Sequence, residues 1–175
     1  MKILKFCLLP LFVVLAAVYL YGYLVAPEDW SVEVSRVIDA EPAELHPWIE
    51  DLRRWPEWQD HGEVAYEFSF EGAEKGVGAV LISRSAQSEV RVEVTASDPA
   101  RGVWFDELLG GEASAKGAIM YEVVPEGTRV TWVDRGSLGD GPILRMFHPM
   151  MEATLTKGFG DHLDLLAERV GTRGE

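Results

Sequence analysis

Residues Phe6 to Ala26 run for twenty-one positions without a charged side chain. At about 1.5 Å of rise per residue, a helix of that length spans roughly the ~30 Å hydrocarbon core of a bilayer. The run is long, uncharged and not amphipathic, so it reads as a spanning segment rather than a core helix. A cleaved signal peptide is the competing reading. Against it, Leu24-Val25-Ala26 is followed by Pro27, which impedes cleavage, and the apolar stretch exceeds a usual signal core. Lys2 and Lys5 precede the run, and Glu28 and Asp29 follow it. Positive charge favours the cytoplasmic side. The expectation is a single-pass membrane protein with a cytoplasmic N-terminus and a periplasmic or extracellular C-terminal domain. Tyr19, Tyr21, Tyr23 and Trp30 crowd the far end, as amphipathic aromatics do at an interface. Residues 1–29 are thus expected to be an anchor with a short linker, and residues 30–175 one folded domain. The lipid bilayer is an expected partner.

Without Lys2 and Lys5 the rest of the chain holds 14 basic against 29 acidic residues, a formal charge of −15. Such a field repels phosphate backbones, which excludes nucleic acid as a partner. Cys7 is the only cysteine, so no intramolecular disulfide can form. The four histidines, His46, His61, His148 and His162, show no metal-ligand spacing. No metal and no cofactor is expected. Gly76-Val77-Gly78 lacks the remainder of a phosphate-binding loop and reads as a turn into a strand.

The alternation of apolar and polar residues gives the rest of the fold. Trp30 to Asp39 reads as a strand. Pro42 suits the first turn of a helix, in which Leu45, Trp48, Ile49 and Leu52 recur at helical spacing. A short second helix or turn follows at Arg53 to Gln59. Val64, Tyr66, Phe68 and Phe70 alternate with polar partners across Glu63 to Glu71, with a period of two. Further strands are expected at Gly78–Ser85, Ser88–Thr95, Gly102–Leu108, Ala115–Val124 and Thr128–Asp134, with turn signals between them, one at Gly110-Gly111. Ile143 to Phe147 reads as a short approach. Met151, Leu155, Phe159, His162, Leu163, Leu166 and Val170 then line one face of a long terminal helix. Consecutive strands joined by short turns imply an antiparallel meander. The terminal helix is the only element long enough to cover it. The expected class is α+β: an antiparallel sheet curved around a long C-terminal helix.

Several segments in this order resemble the SRPBCC superfamily, the helix-grip fold of START-related and polyketide cyclase/dehydrase-like proteins. They are Ser35-Arg36-Val37-Ile38-Asp39-Ala40 leading to Pro42-Ala43-Glu44 and Trp48, then Asp51-Leu52-Arg53-Arg54-Trp55-Pro56-Glu57-Trp58. Gly76-Val77-Gly78-Ala79, Gly127-Thr128-Arg129-Val130-Thr131-Trp132 and a terminal helix with Met151, Phe159 and Leu163 complete the pattern. The resemblance covers about residues 31–168. It implies binding of lipids, hormones or polyketides, with catalysis in some members. Gly158 and Gly160 depart from an ordinary helix interior, at a cost of about 1 kcal/mol each against alanine.

The first functional reading is binding of a hydrophobic small molecule (lipid, isoprenoid or aromatic) in a cavity between the sheet and the terminal helix. Its candidate lining is Phe68, Trp104, Phe105, Tyr121, Trp132, Met146, Met150, Phe159 and His162. The alternative is a polyketide cyclase or dehydratase, for which His162, Glu107 and Asp134 are the only candidate acids and bases. Strand parity at Glu107 and Asp134 is open, with an outward, solvated carboxylate the commoner case, and the ordinary reading of His162 is a hydrogen-bonded core residue. A third reading is an envelope interaction module with a filled core.

Overall fold

The computed structural model describes residues 2–59, 62, 64–110, 113–139 and 141–171, without the side chains of residues 2–9, 11, 113 and 144. Cys7 as a side chain, His61 and Gly111 lie outside the described residues. Helix α1 (Lys2–Leu24) leads through a short linker into strand β1 (Asp29–Ile38). Helix α2 (Pro42–Ile49), a 3-10 turn at Leu52–Arg54 and the single turn α3 (Trp55–Trp58) follow. Six strands come next: β2 (Glu67–Gly72), β3 (Ala79–Arg84), β4 (Glu89–Asp98), β5 (Gly102–Leu109), β6 (Ala113–Val124) and β7 (Gly127–Ser137). The chain closes with α4 (Pro142–Arg145) and the long α5 (His148–Gly171).

All seven strands form one antiparallel sheet in the order β1-β7-β6-β5-β4-β3-β2. The meander accounts for β2 to β7, which are neighbours in sequence order. β1 joins at the far edge, pairing with β7 from Asp29 opposite Ser137 to Ile38 opposite Thr128. A register shift between Val94 and Ala96 of β4 marks an irregularity that bends the sheet. β2 begins at Glu67; Val64 to Tyr66 make no ladder, and Glu63 lies outside the described residues.

α2 starts where its sequence dictates. Glu41 and Glu44 form a reciprocal capping box, and Pro42 occupies the first turn. α2, the 3-10 turn and α3 deliver Leu45, Ile49, Leu52, Trp55 and Trp58, all fully buried, onto one end of the sheet. α5 lies along the same inner face, contributing Phe159, Leu163 and Leu166. The sheet therefore grips α5, as expected, and its core lies between the two.

Two glycines of α5 have different reasons. A Cβ at Gly160 would approach the Arg36 guanidinium to 2.9 Å, so that glycine makes room for the Arg36–Asp164 ion pair. A Cβ at Gly158 would meet nothing within 4 Å. Packing does not require it.

The single-pass localisation needs correction. Among the described residues, no helix is long and apolar enough to cross a membrane. The bilayer as partner and the two-sided topology therefore have no support in the structure. The last turn of α1 is instead packed on the domain: a Cβ at Gly22 would lie 2.1 Å from the Pro142 carbonyl oxygen. The linker is tied to the same region by Arg145 Nη2 to Glu28 at 2.7 Å and by His148 Nε2 to the Asp29 carbonyl at 3.0 Å.

Candidate functional site

The inner face of the sheet is a stack of rows, each crossing several strands. From the α2 end outward, Trp132 of β7 pairs with Ile119 of β6, which pairs with Val103 of β5. In the next row Asp134 pairs with Gly117, Gly117 with Phe105, and Phe105 with Val94. The row beyond carries Gly136, Ala115, Glu107 and Val92. The last row is Phe68, Ser83, Val90 and Leu109, all half-buried. Burial thus declines from the α2 end, where Trp58 is 0% exposed, to the Phe68 end.

Asp134 and Glu107 sit on β7 and β5 with β6 between them. Their carboxyl groups nonetheless meet in a hydrogen bond. They can do so because β6 offers only Ala115 and Gly117 at the crossing. Gly117 is obligatory for a second reason: a Cβ there would lie 2.0 Å from the Phe105 ring. Asp134 is 2% exposed, and its Oδ1 also accepts the Arg135 amide at 2.9 Å. Burial, and then the negative neighbour, push the Glu107 carboxyl up to about 8. Burial pushes Asp134 up to about 6, while the Arg135 amide and the Glu107 hydrogen bond hold it down. The two groups titrate as a pair holding one proton near neutral pH, with Glu107 its donor.

Trp132 stands one row from Asp134 on the same face. It is 3% exposed, and its indole N–H has no hydrogen-bond partner among the described residues. Two other indoles of the same aromatic cluster are satisfied. Trp55 Nε1 donates to the Ile49 carbonyl at 2.9 Å, and Trp58 Nε1 to the Trp48 carbonyl at 3.2 Å. Phe159 of α5 stacks on Trp132 at 4.4 Å between centroids, and the His162 ring lies 5.9 Å away. Trp55 and Phe105 pack edge to face, 5.2 Å apart.

The candidates drawn from the sequence separate by face. Phe105, Tyr121, Trp132 and Phe159 are buried on the inner side, as are Asp134 and the carboxyl of half-buried Glu107. His162 is half-buried against Trp132. Phe68 is half-buried at the open end. Trp104 follows the opposite parity from Phe105 and lines a hollow of about 1000 Å³ on the outer face, with Met120, Val133, Lys116 and Arg135. Met146 and Met150 are exposed. Residues that sequence reading missed are Gly117 and Ala115, whose smallness brings the carboxyls together. A small pair in an apolar strand was the available signal.

A second buried polar cluster occupies the α2 end. His46 is 5% exposed, with Nε2 3.2 Å from Ser97 Oγ and Nδ1 3.4 Å from Tyr121 Oη. Its Nε2 lies 3.4 Å from Glu50, which pairs with Lys75 at 2.9 Å. Burial lowers the His46 pKa and raises that of Tyr121. Each polar atom of this cluster named above has a partner. Among the described residues, no cluster of side chains could hold a metal ion.

Comparison with known proteins agrees with this architecture. TTHA0849 from Thermus thermophilus superposes with a TM-score of 0.66 at 19% identity, over 83% of this chain and 99% of that one. DynU16, a protein of the dynemicin biosynthetic locus, gives a TM-score of 0.58 at 21% identity, over 81% of this chain and 47% of its own. CalU16 from Micromonospora echinospora gives 0.56 at 14% identity, over 85% and 80%. No curated protein sequence matches the chain significantly. Residues 29–171 match the family described as polyketide cyclase / dehydrase and lipid transport. The match spans well over half the chain, and the chain belongs to that family.

Proposed function

We propose that this member of the polyketide cyclase/dehydrase and lipid transport family binds a hydrophobic small molecule at the half-open end of the gripped interior. The molecule is a lipid, isoprenoid or aromatic compound whose polar atom sits at the Glu107–Asp134 pair. The single observation behind this reading is Trp132, an N–H buried without a partner one row from that pair. Orphaned donors are rare in folded interiors because each costs about 1–3 kcal/mol. An acceptor atom on a ligand removes that cost. Phe68 and Val90 from the sheet and Met151 and Leu155 from α5 are half-buried around this end. They can part without disturbing the fully buried residues at the other end. The family description names lipid transport alongside polyketide chemistry, which supports an apolar ligand.

The test is organic extraction of gently purified full-length protein with mass spectrometry, followed by uptake of a hydrophobic fluorophore. A co-purifying apolar compound and weaker fluorophore uptake in Trp132→Phe are expected. A ligand-free protein that takes up no apolar probe would sink the reading.

A second reading, a cyclase or dehydratase, draws on the unequal pair. Glu107 keeps its proton near neutral pH while Asp134 gives its own up. An acid and a base held together suit loss of water from a β-hydroxy carbonyl compound. Asp134 would take the proton next to the carbonyl, and Glu107 would protonate the departing hydroxyl. The new double bond forms as water leaves, and proton transfer within the pair restores its starting state. Turnover abolished in both Glu107→Gln and Asp134→Asn, with ligand binding retained, would separate this reading from binding alone.

A further inference from the structure

We infer that the ligand of this interior carries a protonated amine next to an oxygen acceptor, as in a hydrophobic amino alcohol or amino ketone. The inference rests on the binding reading above and deepens it by naming the ligand's polar end.

Asp134 and Glu107 are buried carboxyls that approach each other over Ala115 and Gly117, and they share one proton because like charges so close cannot both ionise in a buried setting. That leaves one negative charge in the interior. Its neighbours along the rows are Val32, Val92, Ala115 and Gly117, none of them titratable. The partners of the pair are each other and the Arg135 amide. The Arg135 side chain belongs to the opposite parity and lines the hollow on the outer face. On α5 the titratable group facing this cluster is His162, beside Trp132. Among the described residues no cationic side chain forms an ion pair with this anion; a buried anion without one is costly, and a cation brought by the ligand compensates it.

The surroundings suit an organic cation better than a metal. Phe105 lies in the row of Asp134, and the ring of Trp132 in the next. Ring faces attract ammonium groups and apolar bodies alike. The formal charge of −13 over the whole chain draws cations toward the domain and repels fatty-acid and phosphate anions. An ammonium group offers no acceptor to the Trp132 N–H. The same molecule must therefore present an oxygen close to its nitrogen, which fixes the head group as a donor cation with an adjacent acceptor.

Calorimetric titration of the full chain with three naphthalene probes of equal size tests this. One is a 2-amino-1-naphthylethanol, one the matching diol without nitrogen, and one the matching hydroxy acid. At pH 7.5 and moderate salt the amine is expected to bind at least about tenfold tighter than the diol, with the acid weakest. In Glu107→Gln/Asp134→Asn the preference for amine over diol should fall to about twofold or less. The wild-type preference should also shrink at pH 5, where the pair is neutral, so the result does not depend on the variant folding. Equal binding of diol and amine overturns the inference and leaves the binding reading standing. An amine preference that survives in the double variant also overturns it, since the seat would then lie elsewhere. Failure of all three probes on the wild type overturns both.

Discussion

The two ends of the inner face hold two buried polar clusters with opposite character. At the α2 end, His46 meets Ser97, Tyr121 and Glu50, and the indoles of Trp55 and Trp58 donate to backbone carbonyls. Further along the same face Glu107 and Asp134 share a proton, and the Trp132 N–H, one row from Asp134, has no partner among the described residues. The same sheet and the same helix build both. The difference teaches where this fold has spent stability: the His46 cluster is satisfied, and the Trp132–Asp134–Glu107 group is left incomplete between the fully buried residues and the half-buried Phe68 row. A satisfied network specifies a fold, whereas an unsatisfied one needs something further to complete it.

The largest test of this contrast is truncation of the closed end. Trp58→Ala removes a fully buried indole and should cost about 3–5 kcal/mol in urea unfolding. Phe68→Ala at the open end should cost less than half as much. Equal costs would break the division into two ends.

The charge pair comes next. Both carboxyls have folded values raised above those of the unfolded chain, so their contribution is full at low pH. It is lost as pH rises from the usual carboxylate range through about 8. Glu107→Gln/Asp134→Asn should therefore be no more stable than wild type at pH 4. At pH 8.5 it should be more stable, by on the order of 2 kcal/mol. A difference independent of pH, followed by thermal unfolding in matched buffers, would remove the pair from the account.

His46 should show the reverse slope. Burial lowers its folded value, so its contribution is present above the unfolded value of about 6.5 and lost as pH falls through the folded one. His46→Leu should cost roughly 1–3 kcal/mol at pH 7, because Ser97, Tyr121 and Glu50 lose a partner. It should also flatten the acid limb of the stability curve, leaving the alkaline limb unchanged. The smallest effect belongs to neither end. Arg36 and Asp164 are exposed, and Arg36→Gln should cost less than about 1 kcal/mol.

Much of the framework was legible in the chain. Period-two alternation in Val90-Arg91-Val92-Glu93-Val94 and helical spacing from Leu155 to Val170 are local signals. The structure has strands and a helix at both places. The short helices about Trp55 and the order of elements follow from the same kind of signal. The site was legible only as residue types. Trp104 and Phe105 were both candidate lining, yet adjacent strand residues point to opposite faces, and only one of them can face α5. The choice falls to Phe105 because Gly117 on the neighbouring strand leaves space for its ring. Parity at Glu107 and Asp134 was undecidable for a related reason. A strand's alternation says that two faces differ, not which carboxylate lies beneath the helix. The apolar run at the N-terminus was legible as composition, but its reading as a membrane span finds no support among the described residues.

By itself, then, the sequence determined the element order, the antiparallel meander and the long gripping helix. These rest on hydrophobic periodicity and turn chemistry within short stretches. Tertiary structure alone decided the site. It set β5 and β7 on either side of β6 at a register that places Ala115 and Gly117 between two carboxylates, so that they close on each other. It also left the buried Trp132 N–H without a partner among the described residues, while its neighbours Trp55 and Trp58 found carbonyls in the α2 segment. Strand register and burial are properties of non-local pairing, and no local window of the chain encodes them.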